Sequence, residues 1–296
     1  MDTVVTLIGA PRSLDASPVA DARAALEGAG AVVGDPAWLD PGAALDLPLA
    51  NLEPAPATQR VRAALGARPI DVIAQPLAQR RKRLLVADMD ATIVTGETLD
   101  ELADIAGIGA QVAAITARAM NGEIDFAAAL RERVALLYGL PASVLDRVVP
   151  RLALTPGAQT LVGTMRAHGA HTVLVSGGFR YFTTRIRAAC GFDEDHANEL
   201  EIRDGRLTGR VIEPIKGRAA KREALIETAA RLGIPLAAAL AVGDGANDLD
   251  MLLIAGLGVA FRAKPSVAAA AAARIEHGDL TALLFAQGYR REEFQT

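Results

Sequence analysis

The sequence of 296 residues contains little sulfur and few aromatic rings. Its single cysteine, Cys190, excludes an intrachain disulfide and is typical of a protein from a reducing compartment. Aromatic residues make up only 4% of the chain, so the core must be built from alanine, valine, leucine and isoleucine. With 51% apolar and 22% charged residues, the composition predicts a globular protein with a substantial core.

The sequence also lacks a basic excess and a long apolar run. The formal net charge of −4 argues against a nucleic acid as the main partner, because phosphate backbones require a basic face. The short cluster RRKR at 80–83 is better interpreted as a solvated connector than as a nucleic-acid site. Neither the N-terminus nor the alanine-rich stretch near 270 has the pattern of a signal peptide or a membrane span. We therefore expect a cytoplasmic protein with no membrane contact.

Residues 1–80 predict a small α+β domain. Its candidate strands and helices follow in the order βαββαβ, which is the split-βαβ pattern of ferredoxin-like folds. This topology resembles the ACT-like modules that often precede enzymes of amino-acid metabolism. The resemblance implies that this domain binds an amino-acid effector. The sequence leaves open whether the protein is a monomer or a homodimer.

Residues 81–296 predict a second domain of class α/β. Its apolar runs RLLVADMD, HTVLVSGG and AALAVGDG show no polar alternation, and each is followed by helical periodicity. Such runs are typical of parallel strands covered on both faces, so we predict a doubly wound, Rossmann-like parallel sheet. Between the first two runs, about residues 97–155 carry apolar side chains at helical spacing. This insertion predicts a helical cap over the site.

Acidic side chains follow the first of these runs. In open α/β sheets, ligands bind beyond the carboxyl ends of the strands, which is where Asp88 and Asp90 lie. Two close carboxylates repel each other unless a cation is present, and a hard divalent ion such as Mg²⁺ prefers oxygen ligands. A DxD pair alone is more often a helix cap or part of a solvated loop, so the metal site depends on further motifs.

The third run supplies those motifs in GDGANDLDML. Asp244 and Asp248 follow the strand, with Asn247 between them. Gly243 and Gly245 are expected to adopt positive φ and to let the backbone approach a ligand closely. Beside the DxD pair, a second acidic strand end favours a metal site over an ordinary turn.

An anion site is predicted after the second run. Ser176 and Gly177 combine a hydroxyl with consecutive backbone N–H groups, a ready anion site. Lys216 and Lys221 are the candidate cations upstream of the last run. Together with the acids, these groups describe a phosphate bound against magnesium.

These motifs resemble a known family. DMDAT, SGG, Lys221 in KREAL and GDGAND are similar, in order and spacing, to the four motifs of the haloacid dehalogenase superfamily. Over about residues 84–290 the chain resembles the phosphoserine phosphatase family of that superfamily. The resemblance implies magnesium-dependent hydrolysis of O-phospho-L-serine to L-serine and phosphate, the last step of L-serine biosynthesis.

The same resemblance implies a role for each motif residue. Asp88 would be the nucleophile that forms an aspartyl-phosphate, and Asp90 the general acid and base. One Mg²⁺ per active site would be held by Asp88, the backbone carbonyl of Asp90 and Asp244, with Asp248 as outer support. The phosphoryl oxygens would be held by Ser176, Gly177, Lys221 and Asn247.

The cap carries the residues that the resemblance assigns to substrate choice. Glu97 would bind the ammonium group and Arg133 the carboxylate of the substrate, since guanidinium and carboxylate match bidentately. Met120 and Phe126 would form apolar walls. Without the family, Glu97 is equally well interpreted as an acid at a helix start and Arg133 as part of a solvated face.

Two other functions stay open at this point. The same chemistry would serve a related phosphatase or phosphotransferase acting on another small phosphorylated amino acid or alcohol, for example with homoserine as acceptor. A phosphorylatable receiver module also uses a strand-end Asp, magnesium and a lysine. The long helical insertion and the second acid of the DxD pair argue against a receiver.

Overall fold

The computed structural model describes residues 2–295, and within them the strands form two sheets. The first sheet is antiparallel in the order β2-β4-β1-β5, with β3 paired to β4. This is the predicted ferredoxin-like order with one added strand; the likeness to ACT modules stays a prediction. Its elements are β1 (Thr3–Gly9), α1 (Ala16–Glu27), β2 (Val32–Val33), β3 (Ala37–Asp40), β4 (Ala44–Ala50), α2 (Pro54–Leu65) and β5 (Ile70–Pro76).

The second sheet contains the three apolar runs and is parallel except for one hairpin. Its order is β12-β11-β10-β6-β7-β8-β9, and only β8 and β9 pair antiparallel. Successive residues of the central strand β6 belong alternately to two core clusters, so both faces are covered. The predicted α/β fold is confirmed. The strands are β6 (Leu84–Asp88), β7 (His171–Phe179), β8 (Glu194–Arg203), β9 (Arg206–Ile212), β10 (Ala239–Gly243), β11 (Leu257–Phe261) and β12 (Ala273–Ile275).

Four of the helices between β6 and β7 form the inserted cap, as the apolar spacing predicts: α3 (Thr98–Ala106), α4 (Gly109–Met120), α5 (Phe126–Ala135) and α6 (Val144–Val148). An antiparallel bridge between Val94 and Leu154 closes the base of this cap. The remaining helices are α7 (Ala158–Ala167), α8 (Arg180–Cys190), α9 (Arg218–Arg231), α10 (Leu249–Ile254), α11 (Pro265–Ala270) and α12 (Ala282–Ala286). None of the helices within residues 2–295 combines the length and the apolar character needed to cross a bilayer.

The two sheets are joined by a buried carboxylate and by shared apolar packing. Asp71 on β5 is 3% exposed, and its carboxylate accepts hydrogen bonds from the backbone N–H groups of the segment after β12. The shortest of these bonds are 2.7 Å, from Glu276 and from Gly278. Ile8 and Ile73 of the first sheet belong to the apolar cluster that also fills the second domain. The junction is therefore built like a core.

The basic cluster at 80–83 belongs to this junction. Arg80 donates to Asp46 Oδ2 at 2.6 Å and to the carbonyl oxygen of Ala286 at 3.0 Å. Lys82 is buried, and its Nζ donates to the carbonyl oxygen of Ala237 at 2.9 Å. The prediction of a solvated connector was wrong for Arg80 and Lys82, whose partners lie far away in the sequence, whereas Arg81 and Arg83 are exposed.

Candidate active site

The carboxyl ends of β6, β7 and β10 meet at one edge of the main sheet, because β6 lies between the other two strands. A cavity of about 510 Å³ opens at this edge, between the sheet and the cap. Most of the predicted site residues line it: Asp88, Asp90, Glu97, Phe126, Arg133, Gly177, Asp244 and Asn247. Ser176, Lys221 and Asp248 are buried behind this lining. The side chain of Met120 lies outside the described part of the structure.

A buried ammonium group joins two of the acids. Lys221 is 2% exposed, and its Nζ lies 2.5 Å from Asp88 Oδ1 and 2.6 Å from Asp248 Oδ1. The other oxygen of Asp248 accepts a hydrogen bond of 2.9 Å from the Gly245 N–H. Lys216, the alternative cation, lines a different cavity. The structure thus brings the first and third motifs together through Lys221.

Burial dominates the ionisation of this cluster. Burial raises the pKa of Asp88, Asp248 raises it further, and Lys221 partly opposes both. Burial alone would lower the pKa of Lys221, but Asp88 and Asp248 raise it above its ordinary value, so the side chain stays a cation. Burial, followed by the charge of Asp248, also raises the pKa of Asp244. Several carboxylates around one ammonium group leave an excess of negative charge that favours a further cation.

Three of the carboxylates lie close enough together to bind one ion. Oxygens of Asp88, Asp244 and Asp248 lie within 4.8 Å of one another. All donors are oxygens, which fits a hard divalent cation better than a soft one. The carboxylate of Asp90 does not belong to this group. The backbone carbonyl of Asp90 as a metal ligand stays a prediction.

The Asp90 carboxylate has partners of its own. Its Oδ1 accepts the backbone N–H of Thr98 at 2.8 Å, and its Oδ2 accepts the Ser176 hydroxyl at 2.9 Å. The Ser176 hydroxyl oxygen in turn accepts the Gly178 N–H at 2.8 Å. A Cβ at Gly178 would lie 3.3 Å from Asp90 Oδ2 and 3.2 Å from the Thr98 hydroxyl, so glycine suits this crowded position. Asp90 is thereby held at the cavity wall, separate from the metal group.

The glycines of GDG are needed for space. Gly243 and Gly245 do not have positive φ, so that expectation was wrong. A Cβ at Gly243 would overlap the Asp248 carboxylate, and one at Gly245 would overlap the Asn247 side-chain oxygen. Both polar side chains fold back over the turn that carries Asp244. The groups that approach these two glycines closely are therefore the side chains of Asp248 and Asn247.

A buried asparagine that the sequence analysis did not assign fixes the anion loop. Asn198 is 2% exposed, and its Nδ2 donates to the carbonyl oxygens of Gly177 at 2.9 Å and Lys216 at 3.0 Å. Its Oδ1 accepts the Lys216 N–H at 2.6 Å. Asn198 thus ties the loop after β7 to the segment that leads into the helix of Lys221. Its only signal in the sequence is a polar residue inside a strand.

The cap contributes a charged wall and an apolar ring. Phe126 packs on the sheet domain where two residues lack side chains: a Cβ at Gly177 or Gly217 would lie 3.0 Å from its ring. Partial burial in the cleft raises the pKa of Glu97 to about 7, helped by Asp90 and other acids, although water reaches the side chain through the cavity. Burial lowers the pKa of Arg133. The cap therefore presents one acid and one cation to the same cavity.

Two charged or polar lining residues that the sequence analysis missed follow the strand β11. Lys264 and Ser266 come from the segment after β11, the neighbour of β10 in the sheet. Nothing in their local sequence distinguishes them from solvated residues. Only the strand order places them beside Asp244.

Known proteins are similar to this chain over the domain that carries the site. Residues 85–253 match the model of the haloacid dehalogenase-like hydrolase family. The chain is 49% identical over 219 residues to phosphoserine phosphatase SerB2 of Mycobacterium tuberculosis, which covers 74% of this chain and 54% of that protein. It is 42% identical over 296 residues to a phosphoserine phosphatase of Streptomyces coelicolor, which covers 99% of this chain and 72% of that protein.

A solved structure extends the similarity to both sheets. The structure of a haloacid dehalogenase family hydrolase from Salmonella enterica serovar Typhi superposes with a TM-score of 0.85 at 32% identity, covering 96% of this chain and 98% of that one. The chain spans about half the length of the Mycobacterium relative. The family model and the Streptomyces relative show that this chain belongs to the haloacid dehalogenase-like hydrolases and, among them, to the phosphoserine phosphatase family.

Proposed function

We propose that the protein hydrolyses O-phospho-L-serine to L-serine and phosphate with one Mg²⁺ per active site, as a cytoplasmic last step of L-serine biosynthesis. One observation carries the proposal. The cluster of Asp88, Lys221 and Asp248, which is typical of a phosphatase, lies at the cavity whose cap wall contains Glu97 and Arg133. The two relatives named as phosphoserine phosphatases independently support this substrate.

In the first step, an Asp88 oxygen attacks phosphorus while the bond from phosphorus to the serine oxygen breaks. Asp90, protonated at the start, donates its proton to that oxygen as it leaves. The products are free serine and an aspartyl-phosphate on Asp88. The Thr98 N–H would hold the Asp90 carboxyl group in place for this transfer, while the Ser176 hydroxyl, which donates to Asp90 in the free protein, would turn to the phosphoryl group.

In the second step, water hydrolyses the aspartyl-phosphate. The Asp90 carboxylate takes a proton from the water as the water oxygen attacks phosphorus, and the bond from phosphorus to Asp88 breaks. Phosphate leaves, and Asp88 is again a carboxylate while Asp90 is again protonated. A single acid thus serves as donor in one step and as acceptor in the next.

Asp88, Asp244 and the backbone carbonyl of Asp90 would hold the magnesium ion, with Asp248 supporting the group from behind. The clustered carboxylate oxygens and the excess negative charge described above fit such an ion. When bound, it would neutralise phosphoryl charge and so reduce the repulsion between the dianion and the Asp88 carboxylate.

The phosphoryl oxygens would be held by the Ser176 hydroxyl, the Gly177 backbone, the Lys221 ammonium and the Asn247 side chain. Lys221 would exchange part of its pairing with Asp88 for contact with the phosphoryl group. In the cap, Glu97 would bind the substrate ammonium and Arg133 its carboxylate, with Phe126 and Met120 as apolar walls. Opposite charges on one wall suit a zwitterion.

The substrate is tested with purified protein, Mg²⁺ and a panel of O-phosphoserine, O-phosphothreonine and sugar phosphates, with EDTA as the metal-free control. We expect phosphate release to be fastest from O-phosphoserine and to stop with EDTA. Homoserine added as an acceptor separates hydrolysis from phosphate transfer. Equal rates across the panel, or a phosphorylated acceptor as the main product, would contradict the proposal.

The same panel tests the cap. Arg133→Ala should raise KM for O-phosphoserine by about 10- to 100-fold, because a charge-assisted bidentate contact is lost. KM for phosphoethanolamine, which lacks a carboxylate, should change by no more than about twofold. Arg131→Ala, an exposed arginine of the same helix that pairs with Glu213, is the matched control. Equal losses on both substrates would refute the assigned role of Arg133.

Glu97 gives a prediction about pH. In metal-free protein its carboxyl should titrate near pH 7, above its ordinary value of 4.5. Between these values the folded protein holds a proton that the unfolded chain has released, so the contribution of Glu97 to stability falls as pH rises through about 7. Only the ionised form attracts an ammonium group, so substrate affinity should rise over the same range.

Carbon-13 NMR of the carboxyl groups measures this titration directly. The resonance that moves near pH 7 should be absent in Glu97→Gln, and added Mg²⁺ should shift its midpoint to lower pH. A Glu97 midpoint at its ordinary value in the metal-free protein would show that the cleft does not perturb it.

Two expectations about partners stay predictions. One is the amino-acid effector of the N-terminal domain, and the other is the choice between monomer and homodimer. Ligand titration and sedimentation of the full chain would address both.

A further inference from the structure

A fourth strand end contributes to the catalytic cavity. The segment after β11 carries Lys264 and Ser266 to the lining, next to the loop of Asp244. The Lys264 N–H donates a long hydrogen bond of 3.4 Å to the Asp244 carbonyl oxygen. On the other side, Val267 is completely buried and anchors the short helix that follows. Lys264 is therefore held at a defined place on the rim.

The charges that face the cavity are unequal. Four carboxylates line it, those of Asp88, Asp90, Glu97 and Asp244, against two cations, Arg133 and Lys264. The ammonium group of Lys221 lies behind the lining and is already paired with two carboxylates. Without a bound metal ion, negative charge predominates at this mouth, so a cation on its rim would favour the entry of a phosphate monoester, which is a dianion near neutral pH.

Lys264 is the free cation of this mouth. Lys264 is exposed, and among residues 2–295 its ammonium group has no hydrogen-bond or salt-bridge partner, although its charge acts on the nearby Asp244 carboxylate. Arg133, in contrast, belongs to the cap wall and donates from Nε to the carbonyl oxygen of Ala129. An unpaired lysine on a flexible stem can follow an anion over several ångströms without losing another contact.

We propose that Lys264 captures the phosphoryl group of the substrate at the mouth of the cavity and delivers it to the buried site around Ser176 and Lys221. This role rests on the proposed function for its substrate, but its chemistry requires only a phosphate dianion. The role of Lys264 is to capture the substrate, so Lys264 raises kcat/KM and leaves the chemical step unchanged. Because the ammonium group is exposed, its effect is screened by salt.

The test compares Lys264→Met with Lys216→Met, which removes the same charge from a lysine that lines a different cavity. At low ionic strength, Lys264→Met should lower kcat/KM for O-phosphoserine by about 5- to 10-fold, with kcat within about twofold of the parent. The loss should shrink to about twofold or less near 0.5 M salt. Lys264→Arg and Lys216→Met should behave like the parent.

Inorganic phosphate provides a second probe that does not depend on the substrate assignment. With Mg²⁺ present, calorimetry should show phosphate binding about 5- to 10-fold weaker in Lys264→Met than in Lys216→Met at low salt. If O-phosphoserine is not hydrolysed by the parent but this difference is found, the substrate is wrong and the role of Lys264 stands. Equal phosphate affinity in the two variants, or a loss confined to kcat and independent of salt, overturns the inference.

Discussion

Replacing Asp88 by asparagine should reduce turnover by roughly 10⁴-fold or more while leaving the fold intact. The amide oxygen of asparagine cannot form the aspartyl-phosphate, and one member of the metal group loses its charge. The fold should survive because Lys221 keeps its contact of 2.6 Å with Asp248. Steady-state phosphate release, far-ultraviolet circular dichroism and mass spectrometry of the quenched protein measure these effects.

Asp35→Asn, an exposed change on the first sheet domain, is the matched control and should retain full activity. Protein quenched during turnover should carry one added phosphoryl group in the control and none in Asp88→Asn. A phosphorylated Asp88→Asn protein that still turns over would place the nucleophile elsewhere. A stable phosphorylated control without multiple turnover would instead revive the receiver hypothesis.

Lys221→Met should cost both stability and activity. The substitution leaves the buried Asp88 and Asp248 carboxylates without their shared ammonium group, and breaking such a buried pair typically costs about 3–5 kcal/mol. Losing a cation from the phosphoryl site should also lower kcat by about 10²- to 10³-fold. Urea unfolding and phosphate release measure the two effects.

The stability loss should depend on pH in a defined direction. Without Lys221, the pKa of Asp88 is raised even further above its unfolded value, because burial and Asp248 then act unopposed. The stability of the variant is therefore greatest at low pH and falls as pH rises through the folded-state pKa. The difference from the parent should be small in mildly acidic buffer and largest at alkaline pH.

Lys82→Met is the matched control for this prediction. Lys82 is also a buried lysine of the same domain, but its ammonium group donates to the carbonyl oxygen of Ala237. Its replacement leaves one carbonyl oxygen rather than two carboxylates without a partner, so it should cost less stability than Lys221→Met and leave activity intact. If Lys221→Met is no less stable than Lys82→Met at any pH, the ammonium group does not hold the two carboxylates together.

The sequence predicted the parts of the site that depend on local pattern. Buried runs that end in acids, glycines or serine mark the carboxyl ends of parallel strands, and parallel strands bring those ends to one edge. That reasoning placed Asp88, Ser176 and Asp244 together, and the structure has them there. The resemblance selected Lys221 over Lys216, and only Lys221 contacts the acids.

Features that depend on strand order or on distant partners were not predictable. Lys264 became relevant only because β11 lies beside β10, and local sequence does not contain that order. Arg80 was expected to be solvated because its neighbours in the sequence offer no partner; its partner Asp46 lies 34 positions earlier. For Gly243, the residue type predicted a positive φ, whereas glycine is needed there because the Asp248 side chain occupies the place of a Cβ. In each case the deciding neighbour is remote or belongs to a tertiary contact.

The junction around Asp71 has a consequence for any attempt to study the catalytic half by itself. A chain that began after residue 80 would leave three backbone donors at 276–278 without their carboxylate and would uncover the apolar surface against which Ile8 and Ile73 pack. Lower activity in such a truncated protein would report damaged folding as readily as lost regulation. The two sheets have separate topologies, yet these contacts lead us to expect that they unfold together.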